Sequence, residues 1–382
     1  MGFLVPVPCN LSPAFNWLHS VNQSPESPVK LAILGAANMG FLSPVPCNLS
    51  PVKLAILGAG NMGQRLAKAF ETLPQVSIQY VYSRTLAQAE NLASLHGAKA
   101  VKETAPIFAD PDVNAVVLCL PTFTRMESLR AAVESQKHVF CEKPLALNQA
   151  MADEIRGLLA GYSKTVLVGQ VLRFFWEYAR LRERVLAGDI GQVGTVRLSR
   201  CVGYPGAESW FADPDKSGGV ILDLLVHDLD FLRWTFGEVK QVFAKALTQS
   251  HRGTLDYALL NLQLESGALA HIEGSWAHPV GSFHQTVEIC GSLGMLQYDN
   301  LTCQNLQVVS TAEPEAGPSS RISLPEADPS NDPYVAEANH FIECIRNESK
   351  PDIPVVESLK SCELAFRCIE SARQGVPLQV SP

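Results

Sequence analysis

Two side chains that can exchange a proton, Asp223 and His227, lie four residues apart in one apolar stretch. On a helix this spacing puts both on the same face, and Asp230 falls on that side too. Charged groups among so many apolar neighbours are costly unless they have partners. One interpretation is a structural buried His–Asp pair. The other is a general base with an orienting carboxylate, because neutral imidazole accepts a proton near pH 7.

A third candidate, Lys143, lies in the tripeptide Glu142-Lys143-Pro144, directly after a strand-like stretch, His138–Cys141. Open parallel sheets bind ligands at the carboxyl ends of their strands. The position therefore fits an ammonium group in a ligand site. It fits a solvated loop lysine equally well.

A glycine-rich turn, Gly58-x-Gly60-x-x-Gly63, joins a buried-strand pattern at Val52–Leu57 to a helical pattern. In a dinucleotide-binding turn the first glycine permits the bend and the second lets the pyrophosphate approach. The third lets the helix pack on the strand, and the helix N-terminus offers free N–H groups to the phosphates. The alternative is a turn with a structural role only.

The end of the second strand pattern indicates which cofactor this turn would hold. A carboxylate there would bind the free 2′-hydroxyl of NAD. The strand instead ends in Ser83, followed by Arg84. A guanidinium grips a phosphate through two charge-assisted hydrogen bonds, which favours NADP over NAD. The alternative is a solvated Arg84.

These candidates need a sheet that brings them together, and the pattern along the chain predicts one. Strands and helices alternate as far as Val171, which is typical of a parallel sheet with helices on both faces. The predicted strands are Val52–Leu57, Val76–Ser83, Ala115–Leu120, His138–Cys141 and Thr165–Val171, and the helices are Gln64–Phe70, Leu86–His96, Arg125–Ser135 and Asn148–Ala160.

After about Gln170 one long helix, Gly218–Phe236, is followed by several alternating strands, which predicts a mostly antiparallel sheet. The segment Ala312–Pro333 is predicted to be an exposed loop, and two helices, Tyr334–Arg346 and Val356–Gln374, close the chain.

The expected fold class is therefore α/β, with two domains. A Rossmann domain that binds NAD(P) is expected at residues 52–172, and an α+β domain with a mostly antiparallel open sheet at 173–382. The terminal helix, 356–374, is expected to pack back on the first domain.

The glycine-rich stretch occurs twice, because Ser27–Gly40 repeats Ser50–Gly63 with one substitution. In the upstream copy Ala37 replaces the second glycine, and Pro44 interrupts the helix that must follow. We expect the downstream copy to bind the cofactor, and residues 1–51 to be a disordered, duplicated extension.

Composition excludes several classes of protein. The chain has 382 residues and a net charge of −8, which argues against a general nucleic-acid binder. No apolar run reaches the length of a membrane span. The ten cysteines form no C-x-x-C pair and no zinc-site spacing, so we expect a cytoplasmic protein without disulfides or a metal site.

Together, the glycine turn, Glu142-Lys143-Pro144 and the segment from Gly218 through Asp223 and His227 resemble the glucose–fructose oxidoreductase / inositol dehydrogenase (Gfo/Idh/MocA) family. The resemblance extends over roughly Val52 to Val380 and is specific to the family, not to a substrate. It implies a Rossmann domain followed by an α/β domain whose open sheet often mediates oligomers, here a homodimer or homotetramer.

The resemblance also implies roles for individual residues. Lys143 would hold the reacting oxygen, Asp223 would bind and orient, and His227 would be the acid/base. Arg173 resembles a residue in the segment that crosses between the domains; it either contacts the substrate or pairs with a carboxylate. The predicted substrate contacts are Lys143, Arg173, Asp223 and His227. The predicted cofactor contacts are Gly58, Gly60, Asn61, Met62, Gly63, Ser83, Arg84, Pro121, Thr122, Glu142 and Lys143.

One departure from the family is Arg125, which stands where many members have a histidine near the nicotinamide. We expect it to change cofactor or substrate contacts. The three central residues are intact.

The expected function is reversible hydride transfer between NAD(P) and a secondary alcohol of a sugar, cyclitol or related polyol. A metal is not needed when the cofactor accepts the hydride and a cation lies beside the oxygen. One alternative is a reductase of another carbonyl or of a conjugated substrate of the dihydrodiol or tetrapyrrole type. Another is a non-catalytic NAD(P) sensor. Substrate specificity is expected in the loops Gly203–Lys216 and Gly281–His284.

Overall fold

The computed structural model describes residues 50–206, 209–248, 256–302, 306–310, 321–323 and 332–380. The extension expected at 1–51 lies outside the described residues as far as Leu49, and so does most of the loop expected at Ala312–Pro333. Within that loop, Arg321–Ser323 forms a strand of the second sheet, so the loop prediction was wrong there.

The first half of the described chain forms a parallel sheet of six strands in the order β3-β2-β1-β4-β5-β6. Its strands are β1 Val52–Leu57, β2 Val76–Tyr82, β3 Lys99–Val101, β4 Ala115–Leu118, β5 His138–Glu142 and β6 Val166–Gly169. The apolar runs of β1 and β4 are buried almost throughout, as expected for strands covered on both faces. Strand β3 was not predicted, because three residues without an apolar run give no periodic signal.

Five helices cover this sheet: α1 Asn61–Glu71, α2 Leu86–Leu95, α3 Ala105–Ala109, α4 Arg125–Glu134 and α5 Gln149–Leu158. Helix α1 buries Leu66 and Phe70, as its pattern predicts. The strand order reverses between β1 and β4, and the carboxyl ends of strands at such a point border the ligand crevice of an open α/β sheet.

The second sheet has nine strands in the order β14-β13-β12-β11-β7-β10-β9-β8-β15. Its strands are β7 Val193–Gly203, β8 Val239–Thr248, β9 Asp256–Leu264, β10 Leu269–His278, β11 Phe283–Gly291, β12 Gly294–Asp299, β13 Leu306–Ser310, β14 Arg321–Ser323 and β15 Leu378–Gln379. Strands β7 and β10 pair in parallel, and the other described pairs are antiparallel. The predicted fold class is confirmed.

The remaining helices are α6 Trp176–Leu186, α7 Pro214–Ser217, α8 Val226–Phe236, α9 Pro333–Arg346 and α10 Val355–Gln374. Helix α9 returns to the first sheet, where the Phe341 ring lies 5.7 Å from Phe140 and 6.3 Å from Phe70. It therefore completes the core of the Rossmann half from within the segment assigned to the second domain. Helix α10 packs on β8 and α8, and its Glu363 also binds Arg156 of α5.

Candidate active site

At two positions of the turn after β1, any side chain would clash with the protein's own backbone, so only glycine fits. Gly58 has a φ of +115°, and a Cβ added there would lie 2.6 Å from the carbonyl oxygen of Cys119. A Cβ on Gly63 would lie 1.7 Å from the carbonyl oxygen of Gly58. Gly60 differs, because its backbone is extended and an added Cβ would meet no described atom within 4 Å. The space beside Gly60 is therefore available to a ligand.

Unpaired polar atoms after two strands of the first sheet also fit a dinucleotide. The Oγ1 atom of Thr122, after β4, and the amide of Gln170, after β6, are buried and have no hydrogen-bond partner within the described segments. Such groups cost about 1–3 kcal/mol each unless a ligand or water satisfies them. The first turn of α1 has no side-chain cap, so its N–H groups are free for phosphates. Asn61 and Met62 lie in that turn, and Pro121 precedes Thr122.

The end of β2 carries the two residues predicted to select the cofactor. The Oγ atom of Ser83 donates to Gln88 Oε1 and accepts from the N–H of Thr85, both at 3.2 Å. Arg84 is exposed, and within the described chain no ion pair engages it. The first turn of α2 contains no acidic residue. This corner therefore offers a hydroxyl and a guanidinium without a competing carboxylate.

Lys143 bridges the two halves of the molecule. Strand β5 ends at Glu142, whose Oε2 accepts the backbone N–H of Lys143 at 3.2 Å, and the Lys143–Pro144 peptide is cis. The Nζ atom of Lys143 donates to the main-chain oxygen of Asp223 at 2.7 Å and lies 3.5 Å from its Oδ1. Its ammonium group thus lies where the edge of the first sheet meets the segment before α8.

The segment that carries Asp223 and His227 is not the continuous α-helix predicted over Gly218–Phe236. Gly218 and Gly219 have φ values of 77° and 66°, and Val220–Leu224 forms a π-helical turn before α8. π-turns are rare and are often found at functional sites. The wider turn breaks the simple helical spacing on which the shared-face prediction rested, and Asp223 lies against Lys143.

His227 is partly buried, and its Nδ1 atom is inaccessible and has no hydrogen-bond partner among the described residues. Burial, and then the positive charges of Lys143 and Arg200, hold the pKa of His227 well below its usual value. The imidazole is therefore neutral around pH 7. The expected orienting carboxylate is not found within the described chain, because Asp223 binds Lys143 and Asp228 binds Arg200.

Comparison with known proteins identifies this arrangement. Residues 52–170 match the oxidoreductase family model with an NAD-binding Rossmann fold, and residues 178–297 match the GFO/IDH/MocA C-terminal domain. The myo-inositol 2-dehydrogenase of Thermotoga maritima is 31% identical over 261 residues, covering 67% of this chain and 76% of that protein. The chain belongs to the Gfo/Idh/MocA oxidoreductase family.

Two further comparisons agree. The scyllo-inositol 2-dehydrogenase (NAD(+)) of Bacillus subtilis is 28% identical to this Gfo/Idh/MocA protein, over 72% of this chain and 80% of that one. Levoglucosan dehydrogenase in complex with NADH and levoglucosan has the same fold, with a TM-score of 0.79 at 19% identity, over 87% and 100% of the two chains. The predicted family is confirmed, and so is the activity: an oxidoreductase that acts on CH–OH groups with a nicotinamide cofactor.

An ion pair beside His227 was missed by sequence reasoning. Arg200 on β7 binds Asp228 through Nε at 2.7 Å and Nη2 at 3.1 Å, and both side chains are buried. A signal existed, because Val196 and Leu198 mark the core-facing positions of β7 and Arg200 is the next one. A charged residue at such a position needs a buried partner.

Of the two alternatives predicted for Arg173, the structure shows pairing with a carboxylate. Arg173 lies in the turn after β6, and its Nε and Nη2 atoms donate to Asp230 at 2.7 and 2.8 Å. Asp230 also accepts from the Ser361 hydroxyl on α10. The predicted substrate contact of Arg173 stays a prediction.

A buried acid on α9 was also missed. Glu337 is fully buried, and neither carboxylate oxygen has a hydrogen-bond partner among the described residues. Burial, and then the charge of Glu142, raise the pKa of Glu337 well above its usual value. Burial also raises the pKa of Glu142 to about 7, against the opposing effects of Lys143 and Arg125. In the sequence, Glu337 reads as an ordinary polar residue of an amphipathic helix.

Within the described residues no group of three or more His, Cys, Asp or Glu side chains is arranged to hold a metal ion. No described helix is long and apolar enough to cross a membrane.

Proposed function

We propose that this oxidoreductase interconverts a ring secondary alcohol of a cyclitol, sugar or related polyol and the corresponding ketone. The observation that carries the proposal is the 2.7 Å contact between Lys143 Nζ and the main-chain oxygen of Asp223. It places an ammonium group beside His227, at the carboxyl edge of the sheet that holds the glycine turn. The inositol dehydrogenases among its relatives support a cyclic polyol.

The roles of the three residues follow from their charges and contacts. NAD(P), when bound, supplies the acceptor for the hydride. Lys143 stabilises the negative charge that develops on the substrate oxygen. His227, neutral because of its surroundings, takes the hydroxyl proton and returns it in the reverse direction. Asp223 holds the ammonium group in place and accepts from a neighbouring substrate hydroxyl.

The accessible nitrogen of His227 can be assigned. Its Nδ1 atom is buried without a partner in the described chain, whereas its Nε2 atom is not among the buried unpaired atoms. The proton is therefore exchanged at Nε2. The low pKa of this imidazole makes its protonated form a strong acid, which suits proton return during ketone reduction.

A non-catalytic NAD(P) sensor is the main rival from another class. Sensing needs the glycine turn and the strand ends around it, but not an ammonium group held against Asp223 beside a neutral histidine. Burying such polar groups is costly, and a catalytic role explains why they are present. Cofactor binding without oxidation of any polyol would favour the sensor.

For the cofactor we propose NADP in preference to NAD. Support comes from the exposed Arg84 next to Ser83 and from the lack of an acid in the first turn of α2. The name of the Bacillus subtilis relative specifies NAD(+), so the choice needs measurement. We expect kcat/KM with NADP to exceed that with NAD, and Arg84→Gln to lower only the NADP value. A preference for NAD in the unchanged protein would refute this assignment.

We further propose a homodimer or homotetramer formed through the open face of the second sheet. That face carries the exposed Leu269 among polar residues of β7, β10 and β11. A Leu269→Glu variant should shift the mass measured by light scattering towards the monomer. A reducing cytoplasmic location is supported by the described cysteines, which are all free thiols.

The test of the whole proposal is a panel of cyclitols, sugars and sugar alcohols with NAD and NADP, followed at the absorbance of the reduced nicotinamide. Turnover of at least one cyclic polyol is expected. Turnover of an added dihydrodiol, with no turnover of any cyclic polyol, would support the dihydrodiol-type alternative.

A further inference from the structure

Arg125 is the first residue of α4, and its side chain is turned into the protein. It is only 3% exposed. Its Nη1 atom donates to the carbonyl oxygens of Glu142 and Pro144, and its Nη2 atom to that of Leu120 at 2.8 Å. The guanidinium of Arg125 therefore binds the main chain, and the expectation that this departure from the family changes cofactor or substrate contacts stays a prediction.

Two of the three acceptor carbonyls flank Lys143, the lysine proposed for catalysis, and the third lies at the end of the neighbouring strand. Glu142 and Pro144 are the residues immediately before and after Lys143, and Leu120 follows β4, the strand beside β5. The guanidinium thus ties the backbone on both sides of Lys143 to the neighbouring strand end. The other end of the lysine is fixed by Asp223. A planar fork is well suited to this task, because its donors point in fixed directions.

Burying the charged guanidinium of Arg125 costs free energy of folding. Its hydrogen-bond partners in the described chain are neutral carbonyl groups, and its Nε atom has none there. A buried cation without a bonded carboxylate is expensive, so a purely structural role would be served more cheaply by an apolar side chain. The charge also reaches Glu142, where it opposes the rise in pKa caused by burial.

We propose that Arg125 is a positioning residue that fixes the backbone of Lys143, so that the ammonium group meets the reacting oxygen. This rests on the function proposed above for Lys143. Lysine at position 125 keeps the charge but loses the planar fork, and methionine loses both. A displacement of about 1 Å at a reacting group can cost about a hundredfold in rate.

The experiment compares Arg125→Met and Arg125→Lys with Arg130→Met. Arg130 lies on the same helix but is exposed and pairs with Glu154 at the surface. For Arg125→Met we expect kcat to fall by about a hundredfold, with the KM for the cofactor changed less than about threefold and partial rescue by added guanidinium. Arg130→Met should behave as the unchanged protein. In a Lys143→Ala background, Arg125→Met should cause little further loss. An equal loss in both backgrounds would overturn the proposal, and so would an unchanged kcat.

A second readout does not depend on turnover. Hydrogen exchange of the peptide 138–147, measured without cofactor, should be faster in Arg125→Met than in Arg130→Met. Unchanged exchange would refute the positioning role even if no substrate is found, whereas failure of the polyol panel alone would refute only the proposed function. If Arg125→Met does not fold, kcat and the hydrogen exchange of peptide 138–147 are measured on Arg125→Lys instead, and the same outcomes support or refute the proposal.

Discussion

The ammonium group of Lys143 lies closer to the main-chain oxygen of Asp223, at 2.7 Å, than to its carboxylate, at 3.5 Å. The backbone of the π-turn, and not only the acid, therefore holds the lysine. This leaves a carboxylate oxygen free to accept from a substrate hydroxyl. It also means that the two functions of Asp223 can be separated by substitution.

We expect Lys143→Ala and His227→Ala each to lower kcat by about 10²–10⁴-fold, the range for loss of a positioned charge or proton-transfer group. Asp223→Asn should cost less than Lys143→Ala, because the main-chain acceptor remains. Steady-state kinetics on the substrate found in the panel measure all three. Lys68→Ala, an exposed residue of α1, is the matched control. Turnover at the unchanged rate in both alanine variants of the site would contradict the assignment.

Gly60→Ala should separate cofactor binding from stability. An added Cβ meets no described atom and the backbone is extended, so the melting temperature should stay nearly unchanged. The methyl group would occupy the space proposed for the pyrophosphate, and we expect at least about tenfold weaker NADP binding by calorimetry, or about 1.4 kcal/mol. Gly63→Ala should instead prevent folding, because its Cβ would overlap the carbonyl oxygen of Gly58. Unchanged affinity in Gly60→Ala would place the cofactor elsewhere.

The parts of the fold that the sequence predicted are those with strong local signals. Val52–Leu57 and Ala115–Leu118 are continuous apolar runs, and the glycine spacing has a fixed structural meaning. The motif at Glu142 located Lys143 at a strand end, and the structure brings it to Asp223.

The parts that were missed depend on contacts between distant segments. Helix α9 looks like any amphipathic helix, and only the packing of Phe341 on Phe140 assigns it to the first sheet. The π-turn before α8 depends on Gly218 and Gly219, whose positive φ values no helical periodicity reveals. The buried state of Glu337 and the inward turn of Arg125 likewise follow from tertiary structure, because both residue types are usually exposed.

Glu337→Gln should make the protein more stable at high pH. The pKa of Glu337 is raised in the folded state, so its contribution to stability is complete below the unfolded value of 4.5 and is lost as pH rises through the folded pKa. We therefore expect similar melting temperatures for variant and unchanged protein near pH 4.5. At pH 8 the variant should melt higher, by roughly 2–4 °C for each kcal/mol gained. Calorimetry across this range measures it.

The control for that experiment is Glu343→Gln, on the exposed side of the same helix, which should show no such pH dependence. A variant Glu337→Gln that is less stable than the unchanged protein at pH 8 would mean that the carboxylate has a partner worth more than its burial costs.

The buried pair of Arg200 and Asp228 should influence both stability and the pH profile. Asp228→Asn leaves a buried guanidinium uncompensated and is expected to destabilise by about 3–5 kcal/mol. Glu154→Gln, which breaks the surface pair with Arg130, should cost less than about 1 kcal/mol. Replacing both partners, Arg200→Met with Asp228→Leu, should recover much of the lost stability, because no unpaired charge remains.

The double replacement also tests the state of His227. The charge of Arg200 helps to hold the pKa of His227 down, and only neutral imidazole can take the hydroxyl proton. In the unchanged protein the acid limb of kcat/KM set by His227 should therefore lie well below pH 6.5. Without Arg200 the pKa rises, and the limb should move to higher pH while the plateau at pH 8 is kept. A limb that stays in place would show that the charge of Arg200 does not act on the group that accepts the proton.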